Sequence, residues 1–199
     1  PLNFDKPYVL KNNKMVAVKK WNIDYLKKKL SNSYVIVKYH KSIEDFQMTN
    51  YINKHKKFSE YMSDIENSKL CYLSESELKF LENVLDKNDT KERFKFRRPY
   101  IAKDLFLGIN SYSPCHIHII DDTVLNQIFG TKIVYMYNYY DNPSLEPVSI
   151  FNENNNFIKD NLWALDLNKY KLYKIVLEPG DTLLIPPWWY HIVKSINMA

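Results

Sequence analysis

The sequence predicts a mainly β protein with flanking helices, built as a double-sheet barrel or sandwich preceded by an α/β region. Three observations lead there. From Asp104 onward the chain carries a series of short apolar runs separated by turns, a rhythm typical of sandwiches and barrels. Before that point helical periodicity alternates with β-branched runs. The three glycines, Gly108, Gly130 and Gly180, all fall in the second half, each beside an expected strand, as in a tightly specified β core. At 199 residues and 23.9 kDa the chain reads as one domain over residues 1–199, with an accessory α/β part over 1–103 and a barrel core over 104–199.

In chain order, Lys6–Leu10 reads as a short strand and Met15–Val18 as another. Trp21–Leu30 is an amphipathic helix: Asn22 is its N-cap, Asp24 sits in the first turn, and the lysines gather at the C-terminal end where the helix dipole favours cations. Tyr34–Tyr39 is a strand by β-branched content. Phe58, Tyr61, Met62 and Ile65 share one helical face. Leu70–Leu73 reads as a strand, after which Ser74–Glu77 resembles a capping box opening a helix through Leu85. The charged stretch from Lys87 to Arg98 reads as a loop. Strands are then expected at Leu105–Ile109, Cys115–Ile120, Ile133–Tyr139, Tyr173–Leu177, Thr182–Ile185 and His191–Ile196. The polar stretch Asn142–Asp160 is expected to be a long surface loop.

Composition narrows the function classes. A net charge of +5 is mild and the basic residues alternate with acids, so a nucleic-acid partner is compatible but not implied. Cys71 and Cys115 have neither metal-ligand spacing nor a disulfide framework, which fits burial or a reducing compartment. No apolar run has transmembrane length and no signal-peptide pattern is present. Cytoplasmic or nuclear placement is the resulting expectation, with no membrane partner; the oligomeric state is not legible.

Three histidines carry the chemistry. Pro179-Gly180-Asp181 opens a turn, Thr182–Ile185 follows as an apolar strand, and Pro186-Pro187 ends the ladder because neither residue has an N–H to give. Trp188, Trp189 and Tyr190 are bulky wall residues, and His191 begins the next strand. Upstream, His116 and His118 lie two apart on an expected strand, so their side chains share a face about 7 Å apart and can converge on one cation. His191 supplies a third corner. His40 and His55 lie in polar surroundings and read as surface residues. Lys132, at the start of an apolar strand, needs either a partner for its ammonium or a route for it to solvent.

The stretch PGDTLLIPPWWYHIVKSI resembles, without a gap, the last metal-binding segment of the JmjC-related, cupin-like Fe(II)/2-oxoglutarate hydroxylases, which reads roughly PGD-x-L-x-IPP-G-WWH-x-V-R-S-L. Ser113-Pro114-Cys115-His116-Ile117-His118 is similar to that family's S/T-P-x-H-x-D segment, with His118 in place of the acid. Gln127 to Lys132 is similar to its Q-x-x-G-x-K segment. The spacing from His116 to Gly130 is one residue longer than the family's, which calls for a bulge near Asp121. The resemblance implies a double-stranded β-helix of jelly-roll or cupin type, with a further strand beyond Ala199 closing the barrel. It implies Fe(II), or another divalent transition metal, held by His116, His118 and His191, and 2-oxoglutarate held by Lys132 and Ser113. The implied activity is hydroxylation of a protein side chain or another macromolecule. Fe(II) sites of this class normally combine two histidines with one carboxylate, so the exchange at His118 leaves two rival readings. One is a cupin-fold binding or scaffold protein without turnover; the other is a three-histidine metalloenzyme that does not use 2-oxoglutarate. Asp121 or Asp122 can restore a carboxylate only through a bulged strand.

Overall fold

The computed structural model describes residues 5–92, 102–149 and 151–199. It is built from three antiparallel sheets. The first half contributes strands β1 (Tyr8–Leu10), β2 (Tyr34–Tyr39), β3 (Ile52–Lys57) and β4 (Cys71–Glu77), and helices α1 (Val16–Lys20), α2 (Ile23–Leu30), α3 (Ile43–Gln47) and α4 (Phe58–Glu66). The second half adds β5 (Asp104–Leu107), β6 (Thr123–Asn126), β7 (Lys132–Asn138), β8 (Tyr173–Leu177), β9 (Thr182–Ile185) and β10 (Trp189–Ser195). Strand order is β1-β9-β6 in one sheet, β10-β7-β8 in the second and β3-β2-β4-β5 in the third.

The two three-stranded sheets enclose the barrel interior. Val134 and Met136 of β7, Leu177 of β8, Leu183 and Ile185 of β9 and Trp189 of β10 form one buried cluster between them. The outer face of β7 and β10 is covered by a second cluster, including Ile117, Tyr137, Leu162, Tyr190 and Ile192. Thus β7 and β10 are packed on both faces, the condition that makes a strand's register stringent. The third core lies under the four-stranded sheet, where Leu26 and Leu30 of α2 and Phe58, Tyr61 and Met62 of α4 meet Val35, Val37, Leu73 and Leu107. The mainly β, jelly-roll expectation is met. Among the described residues, no helix is long and apolar enough to cross a membrane.

Local chemistry explains the elements. The Asn22 side chain accepts from the Tyr25 amide and caps α2, and Ser42 caps α3 through the Asp45 amide. Gly180 takes φ +92 in the turn before β9, and the Asp181 carboxylate accepts from the Glu178 amide at 3.0 Å while pairing with Lys11 at 2.6 Å. Gly130 takes φ +70, and a Cβ there would stand 2.2 Å from the Met198 carbonyl oxygen, so the chain's last residues pass where only glycine fits.

Several expectations are corrected. Met15–Val18 is not a strand: Val16–Lys20 is a short helix whose Ala17 amide donates to the Asp89 carbonyl at 2.9 Å. Ser74–Glu77 opens no α-helix. It continues β4, with Ser76 Oγ accepting from the Ile36 amide at 2.9 Å, and only the single 3₁₀ turn Leu78–Leu81 follows. Cys115–Ile120 forms no continuous strand but a strap joined by isolated bridges, and it bends outward at the exposed Ile119 and Ile120, next to the bulge expected near Asp121. β3, α3 and β6 have no counterpart among the elements that the sequence pattern predicts. Among its described residues Asn142–Asp160 carries no helix or strand of its own, as anticipated, and it is pinned by a bridge between Pro147 and Ile158. The charged stretch 87–98 lies outside the described residues from position 93 on.

Candidate metal centre

β7 and β10 pair through seven residues, with His191 opposite Met136 and Ser195 opposite Lys132. Directly opposed residues share a face, and alternate residues along a strand do too. Lys132, Val134, Met136, His191, Val193 and Ser195 therefore all look into the barrel. His116 joins this face from the strap. It exchanges both backbone hydrogen bonds with His191, at 3.2 and 2.9 Å.

The strap carries an irregularity that sets its register. Tyr112 bridges Lys194 and His116 bridges His191, so the strap spends one more residue than β10 between the same two points. This is a bulge. At the bulge the Val193 amide donates not to a main-chain carbonyl but to Ser113 Oγ, at 2.8 Å, while the Ser113 amide donates to the Val193 carbonyl at 2.8 Å. Trp163 adds a third tie, donating from Nε1 to the Ser113 carbonyl at 2.9 Å. Beyond His116 the strap is held by the Trp188 amide, which donates to the His118 carbonyl at 3.0 Å.

These ties bring the three histidines together. The His116 and His191 rings lie 4.2 Å apart, His116 and His118 5.3 Å, and His118 and His191 5.4 Å, centre to centre. One ring nitrogen from each falls within 4.8 Å of the others. His116 Nδ1 faces the Pro114 carbonyl at 2.9 Å and His191 Nδ1 faces the Trp189 carbonyl at 3.2 Å. A carbonyl oxygen only accepts, so both rings carry their proton on Nδ1 and present the Nε2 lone pair to the centre.

The electrostatics favour neutral imidazoles. Burial pushes His116 down to about 4, with the Pro114 carbonyl opposing and His118 adding to the effect. His191 is held well below the ordinary histidine value by burial, then by His116 and His118. Burial lowers His118 as well, and the Asp121 carboxylate opposes it. Three neutral imidazoles are a ready donor set for Fe, Zn, Cu or Ni. Neither Asp121 nor Asp122 belongs to the cluster, so the centre is all-imidazole among the described residues.

Lys132 is the second notable group. It is only 4% exposed, and among the described residues its ammonium meets no hydrogen-bond or ion-pair partner. Burial alone pulls it down to about 8. It shares the barrel face with His191. An uncompensated buried cation is costly, and a carboxylate-bearing ligand is the kind of partner that removes the cost. The residues present thus fit both a divalent metal and an anionic cosubstrate. Ser113 keeps its hydroxyl hydrogen available, but its oxygen is already the acceptor for Val193.

Other residues stand differently from expectation. His55 is exposed, whereas His40 is half-buried, stacks on Phe46 at 4.1 Å and leaves Nε2 buried without a hydrogen bond. Trp189 and Tyr190 are buried walls, and Trp188 is turned outward at 48% exposure. Two residues near the centre had no sequence signal. Lys38 and Glu75 form an ion pair at 2.6 Å and act on His116 with opposite signs. Glu75 occupies φ +55 within a bulge of β4, a conformation that sequence alone does not announce.

Comparison with known proteins agrees with this architecture. The chain is 29% identical to HSPB1-associated protein 1 of Bos taurus over 101 residues, 47% of this chain and 21% of that protein. It is 28% identical to tRNA wybutosine-synthesizing protein 5 of Gallus gallus over an alignment of 223 residues, 96% of this chain and 67% of the relative. JmjC domain-containing protein F of Dictyostelium discoideum is 30% identical over 121 residues, 50% of this chain and 25% of its own length. The matched part is thus about a fifth of the HSPB1-associated relatives. The profile of the cupin-like domain matches residues 2–199. With a barrel of this topology and a histidine centre on its inner face, the chain belongs to the cupin-like, JmjC-related family.

Proposed function

We propose that the chain is an Fe(II)- and 2-oxoglutarate-dependent oxygenase that hydroxylates a protein side chain or another macromolecule. The observation that carries this reading is Lys132: a buried ammonium that meets no partner among the described residues, on the same barrel face as the histidine centre. His116, His118 and His191 would hold the metal through imidazole nitrogens. Lys132 would bind the distal carboxylate of 2-oxoglutarate, with the Ser113 hydroxyl able to donate to the same group. Bound together, iron and 2-oxoglutarate supply the capacity to activate O₂ at neutral pH; the protein supplies orientation and exclusion of water. Trp189, Met136 and Val134 line the inner face beside the centre and keep it dry. The relatives' names point to macromolecular settings, association with HSPB1 for one and tRNA wybutosine synthesis for another.

The all-imidazole centre favours a second reading, a three-histidine metal site that uses no cosubstrate. One experiment separates them. The protein is loaded with Fe(II), and metal content, 2-oxoglutarate binding and succinate release are measured for the wild type and Lys132→Ala. The oxygenase reading expects all three in the wild type, with 2-oxoglutarate binding weakened at least tenfold in the variant and metal binding unchanged. Metal bound without 2-oxoglutarate supports the second reading; 2-oxoglutarate bound without succinate release supports a binding protein.

A further inference from the structure

The histidine centre divides β10 into two unlike ends. On one side lies Ser195, opposite Lys132, where an anionic cosubstrate finds its counter-charge. On the other side, just before the strand begins, lies Trp188. If the cosubstrate takes the Lys132 end, the primary substrate must approach from the Trp188 end.

Trp188 is an unusual residue for its place. Its φ is +68, the left-handed region where a bulky side chain is an outlier. The related pattern has glycine there, as the backbone demands. Outliers of this kind gather at functional sites, where the surroundings hold them in place. Here the backbone is held by the hydrogen bond that the Trp188 amide donates to the His118 carbonyl, while the indole itself is 48% exposed. Its only ring neighbour among the described residues is Tyr139, edge-on at 5.9 Å. Tyr139 in turn meets Tyr140 at 5.1 Å, and Tyr140 is 82% exposed. The other side of the lip follows directly from His118: Ile119 and Ile120 are exposed at 43% and 73%, and Asp121 and Asp122 come next. An indole buried for packing would account for a strained backbone; an indole turned to solvent does not.

We propose that Trp188, Tyr139 and Ile120, with Asp121, form the substrate-docking lip of the metal centre, and that its occupant is a polypeptide segment presenting a basic side chain next to an apolar one. This rests on the oxygenase reading for the direction of approach. The choice of polypeptide follows from the charges. Exposed aromatic faces attract ammonium and guanidinium groups, and the carboxylates of Asp121 and Asp122 reinforce them. Lys171, at the far end of the Tyr139–Tyr140 turn, is tied to Asp141 at 2.5 Å. A nucleic acid would set its phosphates against Asp121 and Asp122, opposite to the basic surface such binding relies on.

Trp188→Gly gives opposite results for a docking residue and a structural one. Relief of the left-handed strain should raise Tm by roughly 2–4 °C, whereas loss of a packing residue would lower it. Trp188→Asn, which also tolerates this backbone, serves as a second variant. For binding, a displayed random dodecapeptide library is panned on immobilised wild-type protein and counter-selected on Trp188→Gly. Lysine or arginine beside an apolar residue should be enriched, and the best synthetic peptide should bind the glycine variant at least tenfold more weakly. No enrichment, equal binding to both proteins, or a lowered Tm in both variants would overturn the proposal. A random single-stranded RNA pool, retained better than the peptides and lost with Trp188, would replace the peptide by nucleic acid. Trp188-dependent peptide binding without succinate release would keep the lip and remove the oxygenase reading; succinate release with Trp188-independent binding would do the reverse.

Discussion

Replacing Lys132 by methionine should make the protein more stable and less able to bind 2-oxoglutarate. Methionine keeps the length and apolar stem of lysine while removing the charge. The lysine falls from an ordinary value of 10.5 to about 8 through burial alone. That difference corresponds to about 3 kcal/mol of penalty on the charged form, an upper bound because water penetration and relaxation reduce it. The sign follows from proton counts. With the folded value below the unfolded one, the unfolded chain holds more protons between about pH 8 and 10.5, so wild-type stability rises with pH across that window. Below about pH 8 the full penalty applies; above 10.5 it is gone. Urea denaturation at pH 7 should therefore show Lys132→Met more stable by up to about 3 kcal/mol, and the gain should shrink toward zero near pH 10.5. A ligand that neutralises the ammonium reverses the ranking: 2-oxoglutarate at about a thousand times its Kd should stabilise the wild type by about 4.1 kcal/mol and leave the variant unmoved. A methionine variant less stable than wild type at pH 7 would refute the idea of an uncompensated cation.

Three further outcomes follow from the geometry. Ser113→Ala leaves the Val193 amide without its acceptor at the bulge, so stability should fall by about 1–3 kcal/mol and Co(II) should bind more weakly with an altered absorption spectrum; Ser113→Thr should restore both. Gly130→Ala combines φ +70 with a Cβ 2.2 Å from the Met198 oxygen, and thermal unfolding should show a loss of at least about 1–3 kcal/mol. His118→Asp returns the centre to two histidines and a carboxylate; loaded with Fe(II), it should gain 2-oxoglutarate-dependent O₂ consumption, and a folded, iron-loaded but inert variant would show that His118 is not what limits turnover.

The centre was more legible than the strap that builds it. His116, His118 and His191 stand in short motifs whose residue types suit coordination, and the structure brings all three together. Strands β2, β7, β8, β9 and β10 were legible because they are apolar on at least one face over several residues. β3, read as INKHKK, was not: it is an edge strand, exposed over most of its length, and carries no alternation to detect. Met15–Val18 looked like a strand because valine is β-branched, but a run that short cannot separate a strand from a helical turn. The Ser74–Glu77 signal failed for a different reason. Ser76 spends its hydroxyl on the neighbouring strand's Ile36 amide, a partner forty residues away that no local pattern can supply. The bulge at Ser113 and the left-handed Trp188 are likewise set by long-range hydrogen bonds, to Val193 and to His118.

The bridged strap has a consequence for any cation that the three histidines would hold. His191 sits in a ladder of seven paired residues, whereas His116 and His118 ride on a segment joined to β10 only at isolated points. An ion gripping all three would act as a clasp between a rigid jaw and a yielding one. Release and capture can then proceed by peeling the strap without melting the barrel. The cost of that peeling, and not the strength of the imidazole bonds alone, would set how long such an ion stays.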